Sequence, residues 1–210
     1  MQRLTVDAGN PEAGVIEAAA AVIRAGGVVA IPTDTLYGLA ADPFRADAVA
    51  RVFAAKRRPS ERALPLIAAS ADQIAQHLGA FRPAWRRLAS RFWPGPLTLL
   101  VPAPAALAAD VTGGTGRVGV RVPAHAVARA LCGACGTPLT ATSANVSGEA
   151  ASDDPGDVTT ALGDRIDAIL DAGRTPGGAP STIVDVTGPA PTLVRAGAIP
   201  WEDVLACLAG

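Results

Sequence analysis

The sequence predicts a mixed α/β fold that forms a single domain over residues 1–210. Short apolar runs of strand length alternate with alanine-rich segments of helix length. The alternation is not a strict strand–helix–strand repeat, which favours a twisted mixed sheet with helices packed on it. The residues are 50% hydrophobic and 18% charged, as in globular proteins, and no linker-like stretch divides the chain.

Caps and helix breakers mark the predicted helices. Asn10, Pro11 and Glu12 supply a cap, a first-turn proline and a first-turn acid for the first helix, and Gly26-Gly27 ends it. The later helices have the same kinds of signal. They begin at the caps Asp47 (running to about Arg57) and Ser70, at Pro83, and in the segments 125–132 and 201–209.

Apolar runs mark the strands, which we expect at 28–32, 64–69, 97–103, 117–123, 138–144, 181–186 and 192–197. In the run at 117–123, a period of two places three valines on one face. Arg117, Gly119 and Arg121 lie on the other face, where the glycine leaves a gap between two guanidiniums. Such a pair could bind a carboxylate or phosphate, although a pair of surface arginines is the alternative.

Bulk properties exclude several classes of protein. A net charge of −1 and a pI near 6.1 give no overall attraction to nucleic acid. No apolar run is long enough to cross a membrane, and the first residues lack the pattern of a signal peptide. Three cysteines do not suggest a disulfide framework, so a cytoplasmic location is expected. For Cys132 and Cys135 a structural role is favoured over a redox pair.

Lys56 is the sole lysine beside 17 arginines. It follows the buried face of its helix, and Arg58 and Arg62 come next around Pro59. Three cations at the C-terminal end of a helix could form an anion-binding site. A solvated basic loop is an alternative to which we give equal weight. Three polar clusters, at 32–38, 142–148 and 179–185, offer further hydrogen-bonding groups. The glycine pattern at 114–119 precedes a strand rather than a helix, so it does not indicate a dinucleotide site.

These clusters, in this order, resemble the threonylcarbamoyl-AMP synthase family, the YrdC-like group. The resemblance is carried by P-T-D-T-x-Y-G, K-x-R-P, S-x-N-x-S-G and S-T-x-V-D and covers about residues 14–199. It implies the short, single-domain form of the family, with a YrdC-like twisted mixed sheet, flanking helices and a large concave cleft.

The resemblance also implies a nucleotidyltransferase reaction. L-threonine, bicarbonate and ATP would give threonylcarbamoyl-AMP and pyrophosphate, and a tRNA threonylcarbamoyl-transferase complex would use the product to modify adenosine 37 of tRNA. Positioning and charge neutralisation suffice for this chemistry, without a covalent enzyme nucleophile. No carboxylate cluster is apparent, so we expect no protein metal site and a Mg²⁺ ion carried with ATP.

Residue roles follow from the resemblance, position by position. It implies catalytic roles for Lys56, Arg58, Ser143 and Asn145. It implies L-threonine contacts for Thr35, Arg121, Ala141 and Ser181. It implies ATP contacts for Arg58, Arg62, Arg117, Ser143, Ala151 and Arg195.

The chain departs from the family pattern in two places. Ala68, Ala69 and Ser70 stand where many members have a histidine near the threonine, and position 117 is often Thr in the family. Two other functions stay open at this point. One is a carbamoyl-adenylate-forming domain of the hydrogenase-maturation type, and the other is a double-stranded RNA or tRNA-binding module without catalysis. Weak tRNA affinity is compatible with the enzyme as well.

Overall fold

The computed structural model of the protein describes residues 1–57, 63–79 and 82–209. These residues form a mixed α/β fold, which confirms the predicted fold class. The strands are β1 (Gln2–Thr5), β2 (Val29–Ile31), β3 (Gly38–Ala40), β4 (Leu66–Ile67), β5 (Leu97–Pro102), β6 (Arg117–Arg121), β7 (Leu139–Thr140), β8 (Thr142–Ser143), β9 (Ala168–Asp171), β10 (Thr182–Asp185) and β11 (Thr192–Arg195). The helices are α1 (Ala13–Arg24), α2 (Ala46–Lys56), α3 (Ala71–Leu78), α4 (Pro83–Phe92), α5 (Ala126–Cys135), α6 (Pro155–Leu162) and α7 (Trp201–Ala209), with a 3-10 turn at Ala109–Thr112.

The strands divide into two mixed sheets rather than the one sheet that the sequence led us to expect. The first has the order β1-β9-β2-β3-β8 and the second the order β11-β10-β5-β6-β4-β7. The predicted strand at 138–144 is split between them. β7 pairs with β4 in the second sheet and β8 pairs with β3 in the first, so the chain crosses from one sheet to the other at Ala141.

Two hydrophobic clusters lie on either side of the first sheet. Val29 and Ile31 of β2 contribute to the cluster formed with α1 and α5, whereas Ala30 contributes to a larger cluster shared with the second sheet. This alternation follows from the period of two in a strand that is buried on both faces. Among the described residues, no helix is long and apolar enough to cross a membrane.

Two of the predicted helix starts are wrong and two are correct. α1 begins at Ala13 behind Glu12, whose carboxylate accepts from the backbone N–H of Asp7 instead of capping the helix. α2 is preceded by Arg45, and Asp47 forms a salt bridge with that arginine. The Ser70 hydroxyl does accept from the N–H of Gln73, 3.1 Å away, and Pro83 is the first residue of α4.

Candidate functional site

A cavity of about 410 Å³ lies between the two sheets. The first sheet supplies Gly38, Thr142 and Ser143 to its wall. The second sheet supplies Leu66, Ile67, Thr98, Leu100, Gly119, Arg121, Ile183 and Arg195. Ala141, at the point where the chain crosses between the sheets, completes the lining where they meet. The cavity is therefore a product of the two-sheet architecture.

The loop between β2 and β3 carries hydroxyl groups into this cavity. The Thr33 hydroxyl donates to the Leu36 carbonyl at 2.7 Å and accepts from the Thr35 N–H at 3.2 Å. The Thr35 carbonyl accepts from the N–H of Gly177 and from the Thr175 hydroxyl, both at 2.8 Å. These bonds use the backbone of the loop and leave the Thr35 side chain on the cavity surface.

Tyr37 anchors the same loop to two other segments of the chain. Its phenolic hydroxyl donates to the Gly173 carbonyl at 2.7 Å, and burial raises the pKa of Tyr37 to about 12. Its backbone N–H donates to the Ser152 carbonyl at 3.1 Å. Tyr37 therefore fixes the loop at both its side chain and its main chain.

Arg121 presents a buried guanidinium to the cavity from the end of β6. Its side chain is 10% exposed and forms an ion pair with Asp34, with Nη1 and Oδ1 separated by 3.3 Å. Burial lowers the pKa of Arg121, the Asp34 carboxylate opposes this effect, and the charge of Arg195 adds to it. The guanidiniums of Arg121 and Arg195 thus line the cavity, and the Asp34 carboxylate neutralises only that of Arg121. The remaining positive charge attracts anions.

Arg195 is joined through Ser181, which directly precedes β10, to the other strands of the same cavity wall. Its Nη2 donates to the Ser181 carbonyl at 2.6 Å and to the Ser181 hydroxyl at 3.0 Å. That hydroxyl is also 2.9 Å from the hydroxyl of Thr98 on β5. Three neighbouring strands therefore contribute to one polar network on the cavity wall.

Lys56 lies behind this site, with 2% of the residue exposed. Its ammonium donates to the Asn145 backbone carbonyl at 2.9 Å and to Asn145 Oδ1 at 3.0 Å. It also donates to the Ser143 carbonyl, and the Ser143 hydroxyl lies 3.4 Å away. The lysine therefore connects the end of α2 to residues 143–145, and the solvated-loop alternative for its side chain is wrong.

Among the residues that the structure describes, six of the predicted site residues line this cavity. All four residues of the predicted threonine set line it, as do Ser143 and Arg195 of the predicted ATP set. Asn145 and Ala151 line an adjacent cavity of about 490 Å³, and Leu36 lines both cavities. Arg58 and Arg62 lie outside the described residues.

Arg117 does not face the same space as Arg121, contrary to the expected gap between two guanidiniums. It is bound to Asp185, and its side chain is 47% exposed, outside the lining of the 410 Å³ cavity. The pKa of Asp185 is lowered even though burial raises it, because hydrogen bonds from Thr187 and Arg117 favour the carboxylate. The guanidinium that accompanies Arg121 in the cavity is that of Arg195.

Sequence reasoning missed Asp34, Thr98 and Tyr37 as parts of the site. Asp34 and Tyr37 stand inside the polar cluster at 32–38, and Thr98 is a single polar residue in an apolar strand. A polar residue that is buried needs a hydrogen-bond partner. For Thr98, this requirement was the sequence signal that could have indicated a role in the site. Nothing local to Asp34 specifies that its partner is 87 positions away along the chain.

The cysteines are free thiols, and the described part of the chain shows no cluster of metal-ligating side chains. Burial raises the pKa of Cys132 strongly and that of Cys135 to about 11, so both are neutral thiols near neutral pH. The Cys132 thiol donates to the Ile67 carbonyl. Over residues 1–57, 63–79 and 82–209, no group of three or more His, Cys, Asp or Glu side chains could hold a metal ion.

A cleft between two mixed sheets, with two guanidiniums and several hydroxyls in its lining, gives an α/β protein a site that suits small anionic groups. The Sua5/YciO/YrdC family model, described as "Telomere recombination", matches residues 21–197. The chain belongs to this family.

Relatives and a solved structure agree with this assignment. A threonylcarbamoyl-AMP synthase of Pyrococcus abyssi is 39% identical over 189 residues, and one of Halorhodospira halophila is 45% identical over 152 residues. These alignments cover 90% and 72% of this chain, and 56% and 80% of the relatives. The crystal structure of P. abyssi Sua5 complexed with L-threonine matches with a TM-score of 0.93 and 36% identity, over 99% of this chain and 61% of that one. The chain thus spans little more than half the length of the P. abyssi protein.

Proposed function

We propose that this chain is an L-threonylcarbamoyladenylate synthase, a nucleotidyltransferase that joins L-threonine, bicarbonate and ATP. The observation that carries the proposal is the convergence of Thr35, Arg121, Ala141 and Ser181 on one cavity. These four positions come from four separate segments of the sequence. The related Sua5 structure with bound L-threonine supports an amino-acid site of this kind.

In this proposal Arg121 binds the threonine carboxylate. Its guanidinium is buried, and a planar fork suits a carboxylate in two parallel hydrogen bonds. Asp34 holds the guanidinium from one side, which reduces the freedom that binding would otherwise remove. The hydroxyls of Thr35 and Ser181 and the backbone at Ala141 surround the remaining volume and would contact the threonine side chain and amine.

The nucleotide would extend from this cavity into the adjacent one. Arg195 and Ser143 face the first cavity, where the phosphates would lie next to the threonine. Ala151 and Asn145 line the second, which has the volume for the nucleoside. Arg58, Arg62 and Arg117 remain predicted ATP ligands, the first two in a segment outside the described residues.

The chemistry needs positioned groups and no covalent enzyme intermediate. The threonine amine attacks the carbon of bicarbonate, water is lost, and the carbamate oxygen then attacks the α-phosphate while pyrophosphate leaves. The chain's part is to hold the reacting atoms in line and to offset the negative charge with Arg121 and Arg195. Lys56 acts through the residues that it positions, because its ammonium fixes the segment that presents Ser143 to the cavity.

A Mg²⁺ ion carried by ATP fits the donor set of this site. The described lining of the 410 Å³ cavity, where the phosphates would lie, contains no carboxylate, and the neighbouring Asp34 already pairs with Arg121. Phosphate oxygens and water would therefore be the ligands, and the ion would supply charge neutralisation of the triphosphate. The product would pass to a tRNA threonylcarbamoyl-transferase complex, and we place the reaction in the cytoplasm.

The test is detection of threonylcarbamoyl-AMP by mass spectrometry with purified protein, ATP, Mg²⁺, bicarbonate and L-threonine. The expected result is a product peak that disappears when threonine or bicarbonate is withheld. Turnover that needs carbamoyl phosphate and ignores threonine would instead identify a carbamoyl-adenylate enzyme. Salt-dependent binding of double-stranded RNA without any nucleotide turnover would identify a binding module.

A further inference from the structure

A second groove, of about 610 Å³, lies outside the proposed catalytic cleft, between α3, α4 and the start of α5. It is next to the cleft in the chain as well as in space. Arg121 lines the cleft and Val122 lines the groove, while Ile67 lines the cleft and Ala69 lines the groove. The proposed reaction uses none of the residues that line this groove.

One wall of the groove is aromatic and already fixed. Trp85 and Trp93 meet edge to face, with ring centroids 5.3 Å apart. The Trp93 indole N–H donates to the Leu97 carbonyl at 2.6 Å, which sets the orientation of that ring. Trp85 is 4% exposed, so Trp93 supplies most of the accessible aromatic surface, and its fixed ring suits a flat ring system because little side-chain freedom is lost when a ligand binds.

Two guanidiniums lie at the groove, Arg86 from α4 and Arg129 from α5. Within the described residues, neither has a carboxylate partner in an ion pair. Arg129 is held in place because its Nη1 donates to the Pro123 and Ala124 carbonyls at 2.8 and 2.6 Å. Asp72, on α3, is the one carboxylate in the described lining and is available as an acceptor for ligand N–H groups.

The other arginines of this region contact protein groups outside the groove lining. Arg82 donates to the Gly188 carbonyl at 2.8 Å, and Arg87 donates to the Leu208 carbonyl at 3.3 Å. Arg91 lies 5.4 Å from the centre of the Phe92 ring. Arg86 and Arg129 line one groove together, and two guanidiniums directed at one small volume suit a compact anion.

We propose that the groove binds a purine nucleoside monophosphate, with the phosphate on Arg86 and Arg129 and the base against Trp85 and Trp93. Asp72 would accept hydrogen bonds from the amino or ring N–H groups of the base. The volume is that of a small-ligand site, and its charge is complementary to a phosphate. This site is separate from the one proposed for ATP.

The test is a fluorescence titration of the Trp201→Phe protein with guanosine 5′-monophosphate. The chain has three tryptophans, so the two that remain both lie in the groove. We expect saturable quenching of the tryptophan fluorescence. Arg86→Glu should weaken binding at least about tenfold, because it replaces a positively charged donor by a carboxylate that repels the phosphate. Arg91→Glu, on the same helix but outside the groove lining, is the matched control and should change the affinity less than about twofold.

A second variant tests the volume rather than the charge. Ala75 is exposed on α3 and lines the groove, so Ala75→Phe should fill it and abolish quenching while circular dichroism stays unchanged. Absence of saturable quenching would overturn the proposal, as would equal weakening by Arg86→Glu and Arg91→Glu. Binding that survives both Arg86→Glu and Ala75→Phe would place the nucleotide in the cleft. Equal affinity for inorganic phosphate would show that the base is not recognised.

Discussion

The Lys56 ammonium lies 3.0 Å from Oδ1 of Asn145 and 2.9 Å from the backbone carbonyl of the same residue. An ammonium directs its hydrogens toward the corners of a tetrahedron, whereas a guanidinium directs them within a plane. The oxygens around Lys56 come from two residues of one bent segment, which the compact group can reach together. This geometry gives a physical reason for a lone lysine in a chain with 17 arginines.

Lys56→Met should destabilise the protein more than Lys56→Arg. Methionine removes the charge-assisted hydrogen bonds from the ammonium to the Ser143 and Asn145 oxygens, at about 1.5–3 kcal/mol each. Arginine keeps donors there but overfills the site, at about 1–3 kcal/mol in total. Urea unfolding measures both. Arg91→Met, on an exposed arginine, is the control and should cost less than about 1 kcal/mol. Wild-type stability in both Lys56 variants would contradict the positioning role.

Arg121→Lys should raise the KM for threonine by about tenfold or more, because an ammonium cannot form the two parallel hydrogen bonds of a guanidinium. Initial rates over a range of threonine concentrations measure this. Arg117→Lys, on the same strand but outside the cavity, should leave the threonine KM unchanged. A raised ATP KM in that control would support the predicted ATP role of Arg117. An unchanged threonine KM in Arg121→Lys would remove Arg121 from the amino-acid site.

Gly119→Ala should impair the cavity. An added Cβ would lie 3.0 Å from Thr98 Cγ2, so Thr98, whose hydroxyl bonds to that of Ser181, would have to shift by a few tenths of an ångström. We expect a stability loss of about 1–3 kcal/mol and a raised threonine KM. Gly133→Ala is the matched control, because its Cβ would meet no atom closer than 4.0 Å. The higher helix propensity of alanine should stabilise α5 by up to about 1 kcal/mol. Equal stability and equal KM in the two variants would show that the space above Gly119 is not needed.

Tyr37 is the chain's one tyrosine, so the ultraviolet absorbance of phenolate reports this residue alone. The pKa of Tyr37, read as the midpoint of this pH titration, should lie at about 12 in the folded protein and at about 10 in denaturant. A pKa that is higher in the folded state means a stabilising contribution that is complete below pH 10 and is lost as the pH rises toward 12. Tyr37→Phe should remove this part of the pH dependence of the unfolding free energy. A folded midpoint near 10 would contradict burial of the hydroxyl.

Much of the site could be predicted from sequence because motif residues are local signals. The period of two in β6 placed Val118 and Val120 in the core and Arg121 on the opposite, cavity-facing side, as the structure shows. The same rule failed for Arg117, at the other end of the strand. Its side chain has turned to Asp185 of β10, a partner that strand periodicity does not specify.

The division into two sheets could not be predicted, because it depends on pairings between distant segments. Nothing in residues 138–144 indicates that β7 pairs with β4 while β8 pairs with β3. The cavity depends on that division, since Ala141 lines it at the crossing point. Likewise, the α1 cap was misplaced because the Glu12 carboxylate bonds to Asp7 rather than to its own helix.

The bond between Arg195 and Ser181 joins a predicted ATP ligand to a predicted threonine ligand. A substrate that draws Arg195 toward its phosphates must also change the hydroxyl that the other substrate meets. In the proposed site, thermodynamic linkage would make ATP alter the affinity for threonine by the same factor as threonine alters the affinity for ATP. The two proposed substrates would therefore not bind independently, and a substitution at either end of this bond should change the apparent affinities of both.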